Sequence, residues 1–203
     1  HPIQLNNVVL GVLLMASSFP FIQLLYYLNR QLPLPDSLTR MEASAEQMLQ
    51  AILQMDRPGE LLLNLAVMAV LPAIGEELIF RGLLQKRLER YFQRGTIAIW
   101  ITAFLFSAIH LQFEGFLPRM FLGALLGYLF YWSKNLWIPI FGHFVFNGSQ
   151  VVGQFFYAEE MEQLEAAESL GPNWGLALLS IVAVVLLSFL LIRLNRPYNT
   201  TQR

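Results

Sequence analysis

What most constrains this chain is the length of its apolar runs. Val8 to Leu28, Leu61 to about Leu84, Thr96 to Leu111, Phe116 to Trp132, Leu136 to about Phe156 and Trp174 to Leu194 are all predominantly apolar. A bilayer crossing takes about 17 to 25 such residues, and only the third run is clearly short of that. Composition agrees, with 56% of the 203 residues hydrophobic and 13% charged, against roughly 25% charged in an ordinary soluble domain. The expectation is an all-α fold, a polytopic membrane helix bundle of about six transmembrane helices. The spans use nearly all of the chain, so residues 1–203 read as a single membrane-embedded domain. The first apolar run is too long for a cleaved signal peptide.

Charge and cysteine content exclude several classes. A net charge of -1 and the lack of a basic stripe with interleaved aromatics argue against nucleic acid as a partner. With no cysteine there is no disulfide framework, thiolate nucleophile or Cys-type zinc site.

Two connecting segments carry information. Leu38 to Met55 places Leu38, Met41, Ala45, Met48, Leu49, Ile52 and Met55 at helical spacing opposite a polar face, which predicts an amphipathic helix on the membrane or capping the bundle. Glu159, Glu160, Glu162, Glu165 and Glu168 predict a solvated acidic turn before the last span. If all six runs cross, Lys86, Arg87, Arg90, Arg94, Lys134, Arg193, Arg196 and Arg203 fall on one side, which predicts both termini in the cytoplasm. Arg30, Arg40 and Arg57 fall on the other side, mixed with acidic residues.

Against this background the stretch IGEELIFRG, Ile74 to Gly82, is costly: each ionisable residue at membrane depth costs at least about 2.5 to 3.5 kcal/mol. Glu77 and Arg81 are four apart, carboxylate first, so they share a helix face and can form an ion pair that is purely structural. Glu76 projects about 100° away around the helix and is left without a cation. A carboxylate so placed is a candidate general base or acid. The remaining internal histidines also lie in apolar runs. Phe106 and His110 share i, i+4 spacing, which can seat the ring against the imidazole. His143 and Asn147 share it too, setting two neutral donors side by side as an oxyanion hole requires.

Three assemblies are open on these residues. In one, Glu76 and His110 polarise a water that attacks a peptide carbonyl while His143 and Asn147 stabilise the oxyanion. In a second, His110, His143 and Glu76 bind Zn²⁺ as a His₂Glu set, although neither histidine sits in HExxH. In a third, the polar groups hold together a non-catalytic scaffold or bind a peptide. A proton-coupled transporter would use the same groups, but no inverted repeat is visible. Depth tests all of these. At about 1.5 Å per residue from the inner helix ends, Glu76 lies about 12 Å in, His143 about 10 Å, Asn147 about 16 Å and His110 about 21 Å. His110 comes out too deep unless the third helix tilts or starts below the interface.

Glu76-Glu77-x-x-x-Arg81 followed by Gly82, then Phe106-x-x-x-His110, then His143-x-x-x-Asn147, in this order on successive apolar helices, resembles the CPBP family of intramembrane glutamic endopeptidases. The resemblance covers about Leu61 to Gln154; the first span, the amphipathic segment and the last span carry no signature. It implies that Glu76 activates water with His110, that His143 and Asn147 form the oxyanion hole, and that Glu77, Arg81 and Phe106 support them. It implies no cofactor, favouring the metal-free assembly over zinc. It implies a membrane-associated or lipidated peptide or protein as substrate. The expected setting is the lipid bilayer of a bacterial inner membrane, with the site opening to the cytoplasmic side. The family also includes members linked to bacteriocin immunity, so a non-catalytic protein of the same fold is the alternative. Gly75 and Gly82, flanking the first motif, would let a neighbouring helix or a substrate backbone come close.

Overall fold

The computed structural model describes residues 3–161, 163 and 171–195, and among these it is helical with no strand. Helix α1 spans Leu5–Ser17 and α2 spans Phe19–Arg30. The two are separated by a break at Ser18, two residues before Pro20. Pro20 offers no N–H to the carbonyl of Ala16, and the next rung of the ladder is opened by a side chain from elsewhere. The Ser180 hydroxyl donates to the Ser17 carbonyl at 2.6 Å and accepts from the Phe21 N–H at 3.2 Å, so it is inserted between i and i+4 partners.

Helix α3, Asp36–Leu53, is the expected amphipathic segment. Its apolar face is divided: Leu38, Ala45 and Leu49 are half-buried, whereas Met41, Met48 and Ile52 are exposed. Glu42 shares the half-buried row.

Helix α4 is continuous from Pro58 to Phe92, 35 residues. The sequence reading ended it near Leu84, because Lys86, Arg87 and Arg90 look like a loop; they form instead a polar last turn and a half closed by Gln93 at φ 53°. At its start Glu60 reaches back to accept from the N–H groups of Asp56 and Arg57 at 2.8 and 3.0 Å, with Pro58 in the first turn. Two stretches, Leu65–Val70 and Leu78–Gln85, are wound as π-helix, on either side of the Pro72 to Glu77 turn that carries the first motif.

Helices α5 (Gly95–Ala108), α6 (Phe116–Ser133), α7 (Trp137–Phe156) and α8 (Trp174–Asn195) complete the described fold. Three stretches reach the length and apolarity of a membrane span: Leu5–Arg30, α4 and α8. The other expected spans differ for a physical reason. Ten of the eighteen residues of α6 are buried against four of the twenty-two of α8, so α6 is central and can carry glycines and Arg119, whereas α8 presents leucines and valines outward.

The main core packs Leu14, Met15 and Ile22 against Leu122, Leu126, Leu129, Ile138 and Phe146, with Val184 and Leu191 closing it from α8. The small-residue pair Gly123 and Gly127 lets α5 come against α6. A Cβ at Gly123 would stand 3.1 Å from Phe106 Cδ1 and 3.3 Å from Ala103 Cα. Of the acidic turn, Glu159 and Glu160 are exposed, and Glu162, Glu165 and Glu168 lie outside the described residues, as do Arg196 and Arg203.

Candidate active site

The site assembles where α4, α5 and α7 meet under α6. Glu77 and Arg81 form the expected ion pair, Arg81 Nη1 to Glu77 Oε1 at 2.6 Å, with both side chains wholly buried. The pair does more than the spacing implied. Arg81 Nη2 donates to the Gly123 carbonyl of α6 at 2.8 Å, and its guanidinium carbon sits 4.8 Å from the centre of the Phe106 ring. Glu77 Oε1 also accepts from Nδ1 of His143 at 2.9 Å. One buried carboxylate thus ties α4 to α7, and through Arg81 to α5 and α6. Four residues further along, Gln85 Nε2 donates to the Gly127 carbonyl at 3.1 Å. The glycines of α6 therefore serve twice, as a close-packing strip and as bare carbonyls for side chains of α4.

Asn147 is held by a rung missing from the α4 ladder upstream of Glu76. Pro72 cannot donate to the carbonyl of Met68, and Asn147 Nδ2 donates to that carbonyl at 3.1 Å. Because Met68 O can only accept, the amide nitrogen is the atom that faces it. The second Nδ2 hydrogen then points at Nε2 of His143, 3.2 Å away. His143 is left with its proton on Nδ1, toward Glu77, and its Nε2 lone pair in the site. In this resting arrangement Asn147 donates to His143 Nε2, so the two are not a pair of free donors, a coupling that their i, i+4 spacing alone did not reveal.

His110 stands two residues beyond α5. Its Nδ1 donates to the Phe106 carbonyl at 2.7 Å, which again leaves the lone pair on Nε2. The Phe106 ring lies edge-on to both imidazoles, with centroids 5.2 Å from His110 and 6.2 Å from His143, and edge-on to Phe80 at 5.1 Å. The expected seating of Phe106 against His110 is present, and the ring also lies between the Arg81 cation and the two histidines.

Glu76 is where the two Nε2 atoms converge. His110 Nε2 is 4.0 Å from Glu76 Oε1 and His143 Nε2 is 3.9 Å from Glu76 Oε2, too far for direct hydrogen bonds, and the Glu76 side chain is 28% exposed. A water hydrogen-bonded at about 2.8 Å to both partners would subtend roughly a right angle at such a gap. The depth mismatch between His110 and Glu76 disappears because α4 is longer than expected. Counted from Phe92, Glu76 lies about 24 Å along its helix; counted from Gly95, His110 lies about 22 Å along its own. Among the described residues no group of three or more His, Cys, Asp or Glu side chains is arranged to hold a metal ion. Gly75 has open space where a side chain would be, with nothing within 4 Å, and a Cβ at Gly82 would meet the Leu136 side chain at 3.6 Å and the Glu77 carbonyl oxygen at 3.7 Å, ordinary contacts.

Sequence reasoning missed the residues that reach the site from outside the motifs. Gln112 and Arg119 clasp each other, Arg119 Nη1 to the Gln112 carbonyl at 3.2 Å and Nη2 to its side-chain oxygen at 2.7 Å. Asn29 of α2 and Glu42 of α3 bind the backbone just after His110. The sole advance signal for them was their polarity within apolar or amphipathic segments.

An all-α membrane protein with an acid and two imidazoles converging inside its bundle is the class these features define. Residues 58–149 match the family described as type II CAAX prenyl endopeptidase Rce1-like, in agreement with the resemblance to the CPBP family. The uncharacterized protein YpbD of Bacillus subtilis (strain 168) is 27% identical over 88 residues, covering 41% of this chain and 42% of that protein. The aligned part is thus less than half the length of the curated relative. No solved structure gives a significant match.

Proposed function

We propose that the protein is an intramembrane endopeptidase that hydrolyses peptide bonds of membrane-associated or lipidated peptides with a water activated by Glu76 and His110. The observation that carries this reading is the Glu76 carboxylate, partly open and hydrogen-bonded to no cation, facing two imidazole nitrogens whose partner nitrogens are both committed elsewhere. Its support beyond geometry is the family match over residues 58–149.

In this mechanism Glu76 takes a proton from the water as it attacks the scissile carbonyl, and His110 Nε2 orients that water. The proton then goes to the leaving amine. The developing oxyanion is met from α7. Asn147 keeps one N–H on the Met68 carbonyl and turns the other from His143 to the oxyanion. His143 joins it as a donor from Nε2 when the ring carries a second proton, with Glu77 accepting from Nδ1 in either state. Open space at Gly75 leaves room for a substrate backbone next to Glu76. The chemistry is proposed as metal-free, with the site opening toward the cytoplasm and both termini on that side. The bacterial inner membrane is the proposed location.

The test compares protein N-termini in membranes of cells expressing wild type and Glu76→Gln at equal levels, with and without a zinc chelator. New termini that are absent in Glu76→Gln and persist with chelator are the expected result. Loss with chelator would restore the zinc assembly. Equal termini in a host containing the natural partners would move the reading to a non-catalytic scaffold or immunity protein. Because Glu76 makes no close contact, Glu76→Gln should change stability by no more than about 0.5 kcal/mol.

A further inference from the structure

This inference rests on the reading of His110 as the partner of Glu76 and concerns what aims it. His110 lies two residues beyond α5, tied to the helix end by its N–H on the Ser107 carbonyl at 3.3 Å and by Nδ1 on the Phe106 carbonyl, so its aim also depends on the chain that follows it. The next residue, Leu111, has φ 53°, the left-handed region that disfavours residues with a side chain. Such a conformation persists where the surroundings over-determine it.

Those surroundings include the Arg119–Gln112 clasp and the Ser107 hydroxyl on the Phe116 carbonyl at 2.7 Å, and the rest is supplied from outside the family-matched segment. Asn29, 4% exposed at the end of α2, donates to the Phe113 carbonyl at 2.7 Å and accepts from the Leu117 N–H at 2.8 Å, so it caps an orphan donor in the first turn of α6. Glu42, on the inward row of α3, accepts with Oε1 from the N–H of Phe113 and from that of Glu114, the latter at 3.2 Å. The peptide at Phe113 is therefore gripped at both its N–H and its carbonyl. The Arg30–Glu114 ion pair, 3.3 Å and half exposed, adds little to this.

We infer that Asn29 and Glu42 are positioning residues for the reaction: by holding the turn at 113–117 they fix the backbone of His110 and so aim its Nε2 at Glu76. The argument is where the bonds land. Among the described residues, every hydrogen bond of these two side chains falls on 113–117, three to seven residues after His110. The amphipathic helix α3 thereby acquires a part in the site, through one carboxylate on a row otherwise made of Leu and Ala.

The test uses the full chain in detergent micelles and in membranes, with Glu42→Ala, Glu42→Gln and Asn29→Ala. Histidine labelled with ¹⁵N reports the tautomer of His110 by its imidazole nitrogen shifts, which a purely structural role would not move. Wild type should show the proton on Nδ1, because the Phe106 carbonyl holds it there. Glu42→Ala and Asn29→Ala should populate the Nε2–H form and slow the appearance of Glu76-dependent termini about 10- to 100-fold, the size expected for a misplacement of order 1 Å. Glu42→Gln keeps an acceptor oxygen and should behave as wild type in both readouts. An unchanged tautomer in Glu42→Ala overturns the inference, as does a Glu42→Gln variant as impaired as Glu42→Ala. The tautomer measurement needs no turnover, so it decides this inference even if Glu76→Gln refutes the peptidase reading.

Discussion

Replacing Arg81 by Met removes a guanidinium that is wholly buried and bonded at 2.6 Å to Glu77 and 2.8 Å to the Gly123 carbonyl. Met fills much of the volume but leaves the Glu77 carboxylate buried with His143 as its one remaining partner. Breaking a buried ion pair on one side costs about 3 to 5 kcal/mol, most of it the stranded charge. Adding Glu77→Leu removes that charge. What is then lost is the second partner of the Gly123 carbonyl and the acceptor of the His143 Nδ1–H, about 1 kcal/mol each. The double variant should therefore be roughly 2 kcal/mol less stable than wild type and about 1 to 3 kcal/mol more stable than Arg81→Met alone. The four tryptophans make unfolding in mild detergent readable by fluorescence. Cleavage should not return with stability, because without Glu77 nothing holds the His143 proton on Nδ1. A double variant no more stable than Arg81→Met, or a single variant within about 1 kcal/mol of wild type, would refute the reasoning.

The glycines near the site should respond with opposite signs. Gly123→Ala puts a Cβ 3.1 Å from the Phe106 ring and 3.3 Å from the α5 backbone and should cost about 1 to 3 kcal/mol, whereas Gly75→Ala meets nothing and should gain up to about 1 kcal/mol from helix propensity. Asn147→Ala should lower stability by about 1 kcal/mol by stranding the Met68 carbonyl. Pro72→Ala in that background supplies the missing N–H and should restore the unfolding midpoint without restoring cleavage, since Asn147 is also the proposed oxyanion donor.

Much of the site was legible because its parts recur within one helix. Glu77 and Arg81, Phe106 and His110, and His143 and Asn147 are all i, i+4 pairs, and a helix sets such pairs on one face whatever surrounds it. Glu76 stood out by the same rule, as the charge left over. The depth estimate for Glu76 failed at a helix end. Lys86, Arg87 and Arg90 look like a membrane-side loop, yet they continue α4 by two turns, and end positions follow from capping and packing rather than from hydropathy.

Apolar run length and the order of the three motifs are local properties of the chain, so the sequence by itself determined an all-α membrane bundle and the identity of the converging residues. Which partner each polar atom takes was decided by the tertiary structure. The bond from Glu77 to His143 spans 66 residues, those from Arg81 and Gln85 to the glycine carbonyls of α6 span 42, and those from Asn29 and Glu42 to the turn after His110 span 71 to 88. Such bonds depend on how helices cross. A helical period fixes the direction of a side chain around its own axis but carries no information about which backbone carbonyl or N–H another helix brings to meet it.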